Sequence, residues 1–199
     1  MTDFSGIAAV GSSLEKYLQH VFTDRPPVAD RTSRVFLART EDLNPETSSL
    51  IITPALAIYL YRVDFNKVMR AAWSNVAMRE GDARLPLDLH YLLIAYGENA
   101  NHEYLMLGRA LQAMENMPIF SGPLLDPITD WRTNDAVQFM LEELTTEDVM
   151  RTFDSLPVDY KVSIPYVARI TVIEGRQAQP DLPATQAIRR SRPVVGEES

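Results

Sequence analysis

The order of apolar and polar positions divides the chain into segments of two periods. Over residues 4–22, Phe4, Ile7, Ala8, Gly11, Leu14, Leu18 and Val21 recur at spacings of three and four, with Tyr17 and Phe22 on the flanks. That spacing places them on one face of an amphipathic helix. The run Arg25-Pro26-Pro27 ends it, since proline cannot continue a helix and restricts its predecessor. Residues 33–40 then read as a short strand. Residues 41–49, with Asn44-Pro45, read as a loop.

Strand periodicity returns over residues 54–65. Ala55, Ala57, Tyr59, Tyr61, Val63 and Phe65 share one face, while Leu56, Ile58 and Leu60 make the other apolar before Arg62 and Asp64 turn it polar. The central strand runs from Leu87 to Gly97. Leu87, Leu89, Tyr91, Leu93 and Ala95 lie on one side; Asp88, His90, Leu92, Ile94 and Tyr96 lie on the other. Such a strand is half covered at its start and sandwiched at its end. Between these strands, residues 66–84 form a long connection carrying Lys67, Arg70, Trp73, Arg79 and Arg84. Structured loops of this length in compact domains tend to contact partners, while Val68, Ala71, Ala72 and Val76 could also form a short helix that folds back on the body.

After Gly97 the pattern predicts a helix over residues 102–117, capped by Asn101 and closed by Pro118. Its inner stripe is Tyr104, Leu107, Gly108, Leu111 and Met114, with Gly108 allowing close approach to the sheet. Residues 121–134 form a Gly/Pro/Asp-rich connection, and residues 136–143 a strand with Val137, Phe139 and Leu141 inward. Thr145 caps a short helix that packs through Val149, Met150 and Phe153. Residues 160–174 alternate most clearly: Val162, Ile164, Tyr166, Ala168, Ile170 and Val172 face in, and Pro165 suggests an edge or a bulge. Beyond Gly175 the sequence is too poor in apolar residues to order itself.

Composition narrows the chemistry. The chain has 199 residues and no cysteine, which excludes thiolate zinc sites, disulfides and a cysteine nucleophile. The three histidines, His20, His90 and His102, are too scattered to propose a metal site, and no phosphate loop or dinucleotide fingerprint is present. No cofactor is implied. A net charge of −8 argues against a nucleic-acid surface. No apolar stretch approaches the roughly 20 residues of a membrane span, and no signal peptide is visible, so a soluble, cytoplasmic protein is expected. The charge is uneven. Residues 175–199 hold four arginines against three acids, leaving 19 − 4 = 15 basic and 27 − 3 = 24 acidic residues in the body. This invites contact between the tail of one copy, with Arg189, Arg190 and Arg192, and the body of another, and equally fits a charge that only keeps the protein soluble. Asp88 and His90, two apart on one strand face, could form an acid/base pair, but the polar rim of a half-exposed strand accounts for them better. Glu142-Glu143 with Glu147-Asp148 lacks the spaced loop of a calcium site and reads as a solvated face.

Three runs carry a resemblance: Leu87-Asp88-Leu89-His90-Tyr91-Leu92-Leu93 to Tyr96-Gly97; Leu107-Gly108-Arg109-Ala110-Leu111-Gln112-Ala113-Met114 to Met117-Pro118; and Leu156-Pro157 with Tyr160-Lys161-Val162-Ser163-Ile164-Pro165-Tyr166. In this order and spacing the chain resembles the cap, or tail-terminator, proteins of phage-tail-like contractile injection systems, over residues 4–174. The resemblance implies an α+β fold, a single mixed, largely antiparallel sheet flanked by helices. A cap domain over 1–174 would then precede a flexible, partner-contacting tail over 175–199. It also implies a structural protein rather than an enzyme: a homo-hexameric ring that ends the inner tube and anchors the sheath protein, assembled into an injection particle. The family offers no catalytic residues to carry over. Where its members often have an arginine-rich hairpin between the second and third strands, this chain has the longer Trp73-containing insertion. The competing reading is a small α/β hydrolytic or ligand-binding enzyme using Asp88 and His90.

Overall fold

The computed structural model describes residues 4–67, 83–132 and 134–175, with backbone alone at 83–84 and 170–175. The alternating segments assemble into one six-stranded sheet: β1 (Arg34–Ala38), β2 (Ala55–Phe65), β3 (Ala83–Tyr96), β4 (Ile119–Ser121), β5 (Ala136–Leu141) and β6 (Ser163–Gly175). Their spatial order is β1-β2-β3-β6-β5-β4. β1 runs parallel to β2, and every other pair is antiparallel. The fold is therefore α+β with a mixed, largely antiparallel sheet, as expected.

Helices α1 (Gly6–Asp24) and α2 (Ala100–Asn116) cover one face, and α3 (Thr146–Asp154) covers part of the other. The larger core gathers Val10, Leu14, Leu18 and Phe22 of α1 and Met106, Ala110, Ala113 and Met114 of α2 onto Leu89, Tyr91, Leu93, Phe139 and Ala168. Each large side chain sealed there contributes about 1.5–3 kcal/mol. The smaller core sets Val149 and Phe153 of α3, with Leu43, onto Ala57, Leu92, Ile94 and Tyr96.

Several boundaries and faces differ from the sequence expectation. β3 begins at Ala83 and passes through Pro86, and β6 is a central strand despite Pro165. Both prolines sit where a neighbouring ladder stops, and each accepts one closing bond: Asn66 N–H to Pro86 O at 3.0 Å and Glu142 N–H to Pro165 O at 3.0 Å. A missing amide hydrogen there interrupts no continuing ladder. Asn99, not Asn101, caps α2, its side chain accepting from His102 N at 3.0 Å. The helix also presents a different face to the sheet. Met106, Ala110 and Ala113 face in, Tyr104 and Leu105 are exposed, and Gly108 faces open space instead of the sheet. The close approach is at Gly97, where an added Cβ would come within 2.8 Å of His102 Cβ and 2.9 Å of Asn99 O. Leu141, Met150 and Val162 point to solvent, as does Phe4, which precedes α1. Thr145 caps α3 as predicted, accepting from Asp148 N.

The 121–134 connection is tied down by polar contacts. Ser13 Oγ accepts from Asp126 N (2.7 Å), Trp131 Nε1 donates to Asp126 O (2.7 Å), and the Asp126 carboxylate meets Lys16 Nζ (2.7 Å) and the Ser12 hydroxyl. Burial alone would raise the Asp126 pKa, but Lys16, Ser12 and the Ile128 amide outweigh it and hold the carboxyl below its usual range. The three-residue β4 that leads into this stretch is too short for any periodicity to announce.

Candidate functional site

The two faces of the sheet are not equally covered. On the α3 side, the rows Ala57–Ile94–Ser163 and Tyr59–Leu92–Pro165 lie at the α3 end of the strands. Further along the same strands come the rows Arg62–His90–Val167–Met140 and Asp64–Asp88, with Arg169 opposite Gln138. Among the described residues no helix covers this second half.

A hydrogen-bonded cluster closes it instead. His90 is only 6% exposed, and its Nδ1 donates to Glu142 Oε2 at 2.8 Å. The same oxygen accepts from the Tyr61 hydroxyl at 2.8 Å, and Oε1 accepts from Arg62 Nη2 at 3.0 Å. Arg62 Nε donates to Asp64 Oδ2 at 2.9 Å, and that oxygen lies 3.3 Å from His90 Nε2. Burial, then the Glu142 carboxylate that accepts its hydrogen, push the Tyr61 phenol well above its ordinary pKa. Every buried polar group in the cluster has a partner, which is the condition for stability of such a network.

Asp88 and His90 share the predicted face but do not meet. Asp88 takes the Asn66 amide at 3.4 Å, while His90 binds Glu142 from β5's end, a partner that spacing along one strand could not reveal. The acidic group also separates: Glu142 is in the cluster, Glu147 pairs with Arg151 (2.6 Å), and Asp148 accepts from the Thr145 hydroxyl (2.7 Å). Among the described residues no group of three or more His, Asp or Glu side chains is placed to hold a metal, and no helix is long and apolar enough to cross a membrane.

Of the partner-contact candidates, Lys67 lies exposed on a cavity of about 760 Å³ lined also by Asp64, Asp88, His90 and Arg169. Arg84 stands on β3 opposite Glu174. Arg70, Trp73, Arg79, Arg189, Arg190 and Arg192 lie outside the described residues. Sequence reasoning missed Tyr61, Arg62, Asp64 and Glu142 as one group. The signal was the polar turn of β2 at Arg62 and Asp64, which antiparallel pairing sets against the polar start of β3.

The Pvc16 N-terminal domain family model matches residues 9–186. The chain belongs to that family. A cryo-EM structure of the PVC sheath/tube terminator of an extracellular contractile injection system, in the extended state, has a similar fold, with a TM-score of 0.59 at 12% identity. That similarity covers 100% of this chain and 63% of the other, so this chain spans less than two thirds of the terminator's length. Comparison with curated proteins gives no match. The tail-terminator resemblance carried by the three sequence runs is borne out by the family and by the fold.

Proposed function

We propose that this protein is the structural terminator of a contractile injection system. It forms a homo-hexameric ring that closes the inner tube and anchors the sheath, is assembled in the cytoplasm, and uses neither nucleic acid nor membrane. The observation that carries this reading is the sharing of one fold, over the whole of this chain, with a sheath/tube terminator. Family membership over residues 9–186 supports it. In a ring of identical subunits one patch meets a different patch on the next copy, and closure comes from rotation. Six such contacts to a sixfold tube end add through effective concentration, so no single patch need bind tightly. The body over residues 1–174 supplies the ring, and the 66–84 insertion with Lys67, Arg70, Trp73, Arg79 and Arg84 faces the tube or the next subunit. The tail over 175–199 contacts a partner through Arg189, Arg190 and Arg192.

The enzymatic alternative loses its premise, because Asp88 and His90 do not pair and His90 is engaged by Glu142. Electron microscopy of particles produced with and without this chain tests the proposal. With it, tubes should end in a ring and carry sheath along a defined length; without it, tubes should be overlong or bare. Unchanged tube length and sheath attachment in its absence would overturn the reading.

A further inference from the structure

On the α3 side of the body, a groove of about 980 Å³ runs between the loop at Asn44–Glu46 and the segment from Met150 to Lys161. Past Leu156 and Pro157 it continues into a second cavity of about 540 Å³ that reaches Thr40 and Thr47. Its walls mix polar groups with partly bare apolar side chains: Met150 is 48% exposed and Tyr160 47%. Around the rim stand Glu46, Asp154 and Asp159. Among the described residues none of these three carboxylates has an ion-pair or hydrogen-bond partner. The one rim cation, Lys161, is already held by Glu103 at 2.8 Å. The groove is therefore long, carries exposed apolar side chains among polar ones, and is lined by three unpaired negative charges.

We propose that this groove receives the segment Ile188 to Val195 of a second copy of this chain. That segment reads Ile188-Arg189-Arg190-Ser191-Arg192-Pro193-Val194-Val195, with three cations, no acid and apolar residues at both ends. Three arginines match three unpartnered carboxylates in number and sign, and complementary charge of this kind fixes partner and register more than raw affinity. Ile188 and the Pro193-Val194-Val195 end match the exposed side chains of Met150 and Tyr160, as in peptides held in grooves by alternating anchors.

Distance decides for a second copy over the same one. The groove is built at the start of β6, by Tyr160 and Lys161, and the tail leaves from the other end of that strand at Gly175. Thirteen strand residues rise about 43 Å at ~3.3 Å each. The residues from 176 to 188 span at most about 47 Å when fully stretched. A chain could fill its own groove only with that connection drawn taut along its body, at a large cost in conformational entropy. A second copy can present its groove nearer to Gly175, so that no such stretch is needed. The ring of the proposed function supplies such neighbours, and to that extent the inference rests on it.

The absence of cysteine makes the test clean. Two full-length variants are mixed, one carrying only Met150→Cys and the other only Ser191→Cys, and oxidised disulfide dimers are followed on non-reducing gels. The expected result is cross-linking at least about tenfold faster than for Ser191→Cys mixed with Glu115→Cys, a control on α2 across the sheet. Asp154→Arg with Asp159→Arg should abolish the excess, and Arg189→Glu with Arg190→Glu in the tail partner should restore it. A rate no higher than the control, or a doubly substituted chain that forms only intrachain disulfide, would overturn the proposal. No tube or sheath is present in this assay, so a failure of tube closure or sheath anchoring would leave its result unaffected, and only the contact between copies is read.

Discussion

The two halves of the α3-side sheet face are built from the same strands and solve the burial of the sheet in opposite ways. In the covered half, β2 and β3 present Ala55, Ala57, Leu92, Ile94 and Tyr96, and Phe153 and Val149 of α3 seal them. In the open half the same two strands present Arg62, Asp64, Asp88 and His90. There, Glu142 reaches across from the end of β5 to neutralise what would otherwise be stranded. The covered half gains from dispersion and water exclusion, which are tolerant of direction. The open half depends on a directional network whose buried members are costly to orphan. Residue type along a strand thus records whether a helix lies above it. A polar stretch of a buried strand marks the place where the sheet can meet something else.

Removing the lid should have the largest effect. Phe153→Ala empties a site that is 3% exposed and packed edge-to-face on Tyr160 with ring centroids 5.4 Å apart. A loss of about 3–4 kcal/mol is expected for a buried phenylalanine. Urea unfolding followed by circular dichroism measures it. A loss under about 1 kcal/mol would mean that α3 does not seal this half.

Glu142→Ala probes the open half and should cost somewhat less, about 2–3 kcal/mol, by leaving the His90 and Tyr61 donors without their acceptor. The sharper measurement is a double-mutant cycle with His90→Ala. If the cluster acts as a unit, the two losses are strongly non-additive, with a coupling of roughly 1 kcal/mol or more. Additive losses would reduce the cluster to independent surface contacts.

The contrast between the halves also explains what could be read from the sequence. Where one face was continuously apolar, as along Leu87–Ala95, Tyr166–Ala168 and α1, period alone found the element and its buried side. The reading slipped where the face was decided by a partner distant in sequence. In α2 the cap is Asn99 rather than Asn101, and packing against α1 and the sheet selects the face of Met106 and Ala110 over that of Tyr104 and Gly108. Leu141 and Met150 look inward by spacing, yet Leu141 is the last residue of its strand and Met150, in the middle of α3, lines the open groove beside Tyr160. The His90 cluster was half legible. The polar turn of β2 and the polar start of β3 are both visible in the sequence, but Glu142 lies 52 residues from His90 and was read with its acidic neighbours as solvated. Adjacent carboxylates in sequence part company when one belongs to a strand end and the others to a helix cap.

The smallest expected effect concerns the response of the two halves to alkaline pH. Tyr96 in the covered half is raised by burial and then by the nearby Glu103 charge; Tyr61 in the open half is raised by burial and then by its hydrogen bond to Glu142. Tyr166, on the opposite face, is pushed up to about 12 by burial and Glu115. A phenol whose folded pKa lies above its unfolded value of about 10 contributes stability that is fully present below pH 10 and is lost as pH rises through the folded value. Unfolding free energy should therefore fall steadily above about pH 10. Glu142→Gln removes the negative charge beside Tyr61, lowering its folded pKa toward the ordinary value, and leaves Tyr96 as it was. The variant should start from a lower stability at neutral pH and then lose less between neutral and alkaline conditions than the parent. Ultraviolet titration of phenolate absorbance should show one tyrosine moving to lower pH. A titration curve that superimposes on the parent's would mean that Glu142 does not hold the Tyr61 proton, and the open half would then lack the directional network that sets it apart from the covered one.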